Sequence, residues 1–321
     1  MRRFLGWVAL TASITAATAA SAQNAVNLSI VTGGTGGVYY PMGGALANLL
    51  SKNVPGYQAT AEVTGGSVAN LQAIGSGRAE VAFAMADASL DAMKGEDKFK
   101  GGALPVRALA VLYPNQMHVV TVEGTGVNTM ADLKGKRVST GSPGSATEVM
   151  AFRVIEASGL DKDKDMTRER LGVAESVNAL KDRKIDAFFW VGGLPTSAVT
   201  DLGATPGTKI KMVDHAAATD AMNKKYGQLY AANVIPPGTY PGQDTPNKNV
   251  VVWNILVANE KLPDQVVYNV VKTLFDHKPE MVATHKESEN IKLENQNNVN
   301  SPLPFHKGAI KYFAEKGITL K

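Results

Sequence analysis

Three short turns hold the residues best placed to do chemistry. They are Gly33-Gly34-Thr35-Gly36-Gly37 with Val38-Tyr39-Tyr40 behind it, Gly65-Gly66-Ser67, and Gly141-Ser142-Pro143-Gly144-Ser145. Each stands just before a segment with helical apolar spacing. Glycine lets a backbone approach a ligand closely. Free N–H groups at a helix start, with the helix dipole behind them, favour an anion. The chemistry suggested is capture of a small molecule bearing at least one carboxylate or similar anion. Each turn alone is as readily a plain tight loop; the set of three is what points to a site.

Other residues join these turns. Ser145-Ala146-Thr147-Glu148 reads as a capping box, in which Ser145 accepts the N–H three residues on and Glu148 reaches back to the Ser145 N–H. Ser67 reads as the cap of its own helix. Tyr39 and Tyr40 offer hydroxyls at the first turn, one for the core and one for a ligand. Asp87 follows a strand; it either reaches a cleft, to bind an ammonium group, or caps the turn Asp87-Ala88-Ser89. Trp190 ends another strand, shortly before Gly192, and is either core like Phe188 and Phe189 or a wall of the pocket beside that glycine.

Enzyme readings find fewer partners. Gly34-Thr35-Gly36-Gly37-Val38-Tyr39 lacks the third glycine of a dinucleotide fingerprint, and no segment fits a P-loop. The five histidines, His118, His215, His277, His285 and His306, include no pair at helical metal spacing. The serines of Gly141-Ser142-Pro143-Gly144-Ser145 are displaced from a G-x-S-x-G elbow. Ser145 is better explained as a cap than as a nucleophile. The chain is read as a binding protein and not an enzyme, with no cofactor and no metal.

These residues need elements to position them. Val26, Leu28 and Ile30 alternate with polar residues as in a strand. Pro41 suits the first turn of a helix in which Met42, Ala45, Leu46, Leu49 and Leu50 share a face. Thr60 to Val63 and Glu80 to Met85 read as strands, with a helix carrying Val68, Leu71 and Ile74 between them. The same order returns about 105–110 residues later, at the strand 137–140, the helix after Ser145, a helix at 175–180 and the strand 185–191. Repeated strand–turn–helix units imply parallel strands with right-handed crossovers, hence two α/β lobes. Ligands of such sheets bind at the carboxyl ends of the strands, so facing lobes bring all three turns to one cleft. Residues 106–122, apolar but broken by Pro114, are expected to cross between lobes. Residues 233–243, rich in proline and glycine, are expected to cross back. Lobe 1 is then 23–115 with 236–321, lobe 2 is 116–235, and the two crossings form a hinge.

Composition narrows the partners. Arg2 and Arg3, an apolar run from Phe4 to Ile14 and Ala20-Ser21-Ala22 form the pattern of a secretory signal peptide over 1–22, which places the mature chain in the periplasm. There are no cysteines, so disulfides, thiolate metal sites and thiol catalysis are excluded. Formal charge is +4, and loss of the two leader arginines lowers it to 4 − 2 = +2. The basic residues are scattered, and 161–170 mixes both signs as a solvated loop does. Nucleic acid is not expected as a partner.

The run Thr32-Gly33-Gly34-Thr35-Gly36-Gly37-Val38-Tyr39-Tyr40-Pro41 resembles the signature of the TAXI family, the extracytoplasmic solute receptors of TRAP transporters. So do Ala61 to Leu71, Ala131 to Val138, Gly141-Ser142-Pro143-Gly144-Ser145 with Thr147-Glu148, Ile185 to Phe189, Thr239 to Gln243 and Gly308 to Phe313, in order along nearly the whole mature chain. The resemblance implies a type II periplasmic binding protein fold with a ligand cleft between its lobes. It also implies delivery of a small acidic solute, glutamate, glutamine or a 2-oxo-dicarboxylate, to an inner-membrane TRAP permease. By motif, the implied contacts are Gly37, Tyr39, Ser67, Asn70, Ser142, Ser145, Thr147 and Trp190. Ala146 replaces the family's usual glycine, and Trp190 is bulkier than many members carry. The chain is expected to act as a monomer. The same cleft would serve a ligand-binding sensor for a membrane receptor.

Overall fold

The computed structural model describes residues 25–320; the expected signal peptide lies outside them. The first half of the order is β1 (Val26–Val31), α1 (Tyr39–Asn53), β2 (Tyr57–Glu62), α2 (Ser67–Gly75), β3 (Val81–Met85), α3 (Ala86–Lys94), β4 (Val106–Val122), β5 (Arg137–Ser139), α4 (Ala146–Ala157) and β6 (Thr167–Glu169). The rest is α5 (Val173–Lys181), β7 (Ala187–Gly192), α6 (Ser197–Ala204), β8 (Ile210–Met212), α7 (Thr219–Tyr226), β9 (Tyr230–Ile235), β10 (Asn247–Asn259), α8 (Asp264–Asp276), α9 (Lys278–Thr284) and α10 (Lys307–Glu315).

The strands pair in the order β2-β1-β3-β10-β4-β7-β5-β6. In lobe 1, β1 pairs β2 and β3 in parallel; in lobe 2, β5 pairs β6 and β7 in parallel. Helical crossovers make these parallel pairs, as the repeated strand–turn–helix pattern requires. The sheet turns antiparallel where β10 meets β3 and β4. An apolar core fills both sides of lobe 1, with Ile30, Leu46, Leu50, Phe83, Val257 and Phe313 sealed from solvent. Lobe 2 adds its own cluster around Phe188, Val199, Leu202 and Tyr240.

Two long strands join the lobes. β4 pairs β10 over its first half and β7 and β8 over its second. Pro114 does not break it. Proline brings no N–H to a ladder and is tolerated at bulges, and here the pairings Pro114–Trp253 and Val111–Ile255 leave Asn254 facing both Leu112 and Tyr113. The return crossing is made by β10, not by 233–243. Residues 230–235 form β9, which pairs the first half of β10 as a hairpin, and the prolines and glycines of 236–246 turn its tip. Their chemistry suits a turn better than a strand, while β-branched Val250, Val251 and Val252 suit the crossing strand.

Candidate functional site

The three glycine- and serine-rich turns do converge. They line a cavity of about 380 Å³ between the lobes, within the range of small-molecule sites. Gly33 to Tyr39 and Val63 to Ser67 come from lobe 1; Ser142, Pro143, Ser145, Ala146 and Thr147 come from lobe 2. A fourth turn, Arg170-Leu171-Gly172, joins them ahead of α5. The N-termini of α1, α2, α4 and α5 therefore open toward one space.

The lobes touch across this space. The Ser142 hydroxyl donates to the Gly65 carbonyl at 2.9 Å. The Ala69 N–H donates to the Gly144 carbonyl at 3.0 Å, and the Ser197 hydroxyl donates to the Gly36 carbonyl at 3.0 Å. A Cβ on Gly65 would stand 2.3 Å from the Pro143 oxygen. Only a glycine allows turns to meet this closely, so the arrangement is a closed one.

Eight of the ten predicted site residues line the cavity: Gly37, Tyr39, Ser67, Ser142, Ser145, Thr147, Trp190 and Gly192. Trp190 is a wall. Its indole N–H donates to Thr196 Oγ1 at 2.9 Å, and its ring lies where a Cβ on Gly37 would come within 2.9 Å. Tyr39 donates to Asn254 Oδ1, and burial pushes its phenol above the usual value. Tyr40 is at the surface, 38 % exposed. Ser145 caps α4 by accepting the Glu148 N–H at 3.1 Å.

Several local expectations need correction. Glu148 does not complete a capping box, because Arg170 draws its carboxylate away with bonds of 2.6 and 3.2 Å. The Ser145 N–H goes instead to the Ser142 carbonyl. Ser67 does not cap its helix: it is the first helical residue, after Gly66 at φ 119°, and its hydroxyl accepts the Met85 N–H at 3.1 Å. Asn70 lies beneath the cavity. Its amide donates to the carbonyls of Thr32 at 2.6 Å and Phe83 at 2.8 Å, and it accepts from Thr64 Oγ1 at 2.6 Å. Those bonds pin the strand ends that carry the turns. Asp87 is also outside the cavity. It is sealed from solvent and bonded to the Ala88 N–H at 2.8 Å and the Tyr230 hydroxyl at 2.9 Å. Arg153 from lobe 2 lies 3.5 Å from Asp87 and contacts Asp91 and Asp97 of lobe 1 as well. Asp87 thus belongs to a buried ionic joint between lobes.

Several lining residues lie outside those that the sequence marks. Arg170 is expected in a solvated loop, yet it stands half-exposed at the rim, one residue beyond the carboxyl end of β6. Its position in a strand–turn–helix unit was the available signal. Glu175 stands exposed at the same rim. Tyr113 and Asn115, on the crossing strand β4, are buried and line the cavity; nothing in their local sequence marks them. None of the five histidines, all among the described residues, lines this cavity. His118 is bonded to Tyr240 and the Gln116 carbonyl, and His306 caps α10. Ser142 and Ser145 therefore have no histidine base at the cavity. Among the described residues no group of three or more His, Asp or Glu could hold a metal ion, and no helix is long and apolar enough to cross a membrane.

Two α/β lobes, a hinge of two antiparallel strands and an interlobe cavity define the class, a protein of periplasmic-binding-protein fold. The chain belongs to the NMT1-like family, which matches residues 30–317. It is similar in structure to the periplasmic binding protein BugD, with 15 % identity over 93 % of this chain and 99 % of that one and a TM-score of 0.56. A protein of Bordetella bronchiseptica RB50 is also similar, with 19 % identity over 92 % and 83 % of the chains and a TM-score of 0.51.

Proposed function

We propose that this chain is a periplasmic solute receptor that closes on a small carboxylate-bearing solute and presents it to a membrane transporter. The observation that carries this reading is the cavity itself. Four helix N-termini surround a closed space between two hinged lobes, with Arg170 at its rim and held by Glu148; helix N-termini favour an anion. Among the described residues no histidine lines it, which supports capture and release as its chemistry. The ordered motifs that resemble those of TAXI receptors support a TRAP-type permease as the transporter, and glutamate, glutamine or a related dicarboxylate as the solute class.

Mass spectrometry of the solute that co-purifies with the mature chain, followed by thermal shift against acidic metabolites, tests the proposal. Binding raises the melting temperature by mass action. Arg170→Gln should weaken carboxylate binding by about 10- to 100-fold, the range of a charged hydrogen bond. An absence of response to every acidic metabolite would defeat the reading.

A further inference from the structure

A buried carboxylate of lobe 1 holds a turn of lobe 2 just outside the cavity. After β7, residues 193–196 lead into α6, and this turn is tied to the Trp190 wall. The Trp190 indole N–H donates to Thr196 Oγ1 at 2.9 Å, the Thr196 hydroxyl donates to the Gly193 carbonyl at 2.9 Å, and Thr196 is sealed from solvent. Wall and turn therefore form one bonded unit. Lobe 1 grips that unit in two places. One is the Gly36 carbonyl, which accepts from the Ser197 hydroxyl and the Ala198 N–H. The other is a short 3-10 helix, Lys286–Asn290, just after α9. Its Glu287, 5 % exposed, accepts the Leu194 N–H at 2.6 Å.

Every donor and acceptor of the second grip is matched. The other Glu287 oxygen accepts the Asn290 amide at 2.7 Å. The Glu287 N–H donates to His285 Nδ1 at 3.2 Å. That nitrogen then carries no proton, so the neutral ring has its proton on Nε2, which donates to the Pro195 carbonyl at 3.2 Å. The packing is as close as the bonding: a Cβ on Gly193 would stand 2.7 Å from Glu287 Cγ. Taking a carboxylate out of water is costly unless donors replace the water. Burial pushes the Glu287 carboxyl above its ordinary value, and the Leu194 N–H draws it back down. Since that donor belongs to the other lobe, Glu287 is fully satisfied only with the turn in place. Glu287 itself does not line the cavity. It reaches the wall through Leu194 and Thr196.

We propose that Glu287 is a positioning residue for the solute site: from lobe 1 it holds the 193–196 turn of lobe 2, and through Thr196 it sets the place of the Trp190 wall. This rests on the solute-receptor reading above and adds to it a residue outside the cavity that governs the cavity's shape. With the Leu194 bond gone, the turn shifts, Trp190 moves off Gly37, and the solute loses one wall.

The test follows Trp190 and affinity together. Beyond the expected leader the chain has two tryptophans, Trp190 and Trp253, so a Trp253→Phe background isolates Trp190 fluorescence. Glu287→Ala should shift Trp190 emission to longer wavelength and make acrylamide quench it more steeply. Calorimetry with glutamate, glutamine and 2-oxoglutarate should show the best-bound of the three weakened about tenfold, the loss of a charged hydrogen bond. Thr196→Val leaves the Glu287–Leu194 bond but cuts the link to Trp190, and should reproduce both changes. The double variant should then be little worse than either single one, as for residues acting in one chain. Glu287→Gln keeps the shape and one acceptor oxygen, and should fall between wild type and alanine. A lower melting temperature with unchanged Trp190 emission, quenching and affinity in the Glu287 variants would overturn the proposal and leave the receptor reading intact. So would fully additive losses in the double variant. A wild type that binds none of the three solutes would overturn the solute class in the receptor reading and the proposal with it.

Discussion

Gly65→Ala is the sharpest probe of closure. Gly65 is absent from the positive-φ glycines, so alanine adds no backbone strain there. It does add a Cβ 2.3 Å from the Pro143 carbonyl oxygen across the cleft, well inside any tolerated contact. Both partners are backbone-bound atoms, and neither can swing aside. The turns must part. Parting them breaks the Ser142–Gly65 bond and the Ala69–Gly144 bond, each worth about 1 kcal/mol. The closed state should lose about 2 kcal/mol, and ligand affinity should fall roughly 30-fold. Calorimetry with the co-purifying solute measures this directly. Small-angle scattering of the ligand-bound variant should show a more open particle than the wild type. Gly44→Ala is the control. Its Cβ meets nothing within 4 Å, it lies inside α1, and the change should stabilise by about 0.5–1 kcal/mol without altering affinity. A Gly65→Ala variant with wild-type affinity and wild-type scattering would refute the closure mechanism.

Two further perturbations address stability. Arg153→Met would strip the cation from Asp87 and Asp91, which are buried, and should cost about 3–5 kcal/mol by urea unfolding; a loss under 1 kcal/mol would mean the ionic joint is dispensable. His118 and His215 are both lowered by burial from 6.5 to about 4. A depressed histidine contributes stability in full above 6.5, and that contribution is lost as pH falls through about 4. Each should withdraw on the order of 3 kcal/mol over that window, so a melting temperature flat from pH 6.5 to 4 would contradict the burial.

Which parts of the fold were legible follows from range. Val26 to Ile30, the helix face of Met42 to Leu50 and the cap at Ser145 are local patterns, and the structure holds all of them. The repeat of strand, turn and helix placed the glycine turns at one sheet edge, and that brought Gly37, Ser142 and Trp190 to the cavity. Long-range pairing was not legible. Asp87 looked poised for a cleft because nothing near it reveals Arg153 or Tyr230, more than sixty residues away. Glu148 looked like half of a capping box because the competing Arg170 lies 22 residues on. Asn70 carried the right motif but serves the strands beneath the turns. Tyr113 and Asn115 sit in an apolar run whose pattern says only buried strand. Their place at the cavity depends on β10, which arrives more than a hundred residues later.

That late arrival has a consequence for the order of folding. β3 and β4 are made early, yet they do not pair with each other; β10 lies between them. Until Asn247–Asn259 leaves the ribosome, β3 has an open apolar edge and lobe 1 cannot complete its sheet. The segment just before α10 is needed too, since the carbonyl of Pro304 and the N–H of His306 both bond Ala108 on β4. Lobe 1 thus remains unfinished until β10 and residues 304–306 have been made. Such non-local closure is slow and leaves strand edges exposed while it waits. A chain built this way forms its interlobe cavity only after β10 has joined the two halves of the sheet.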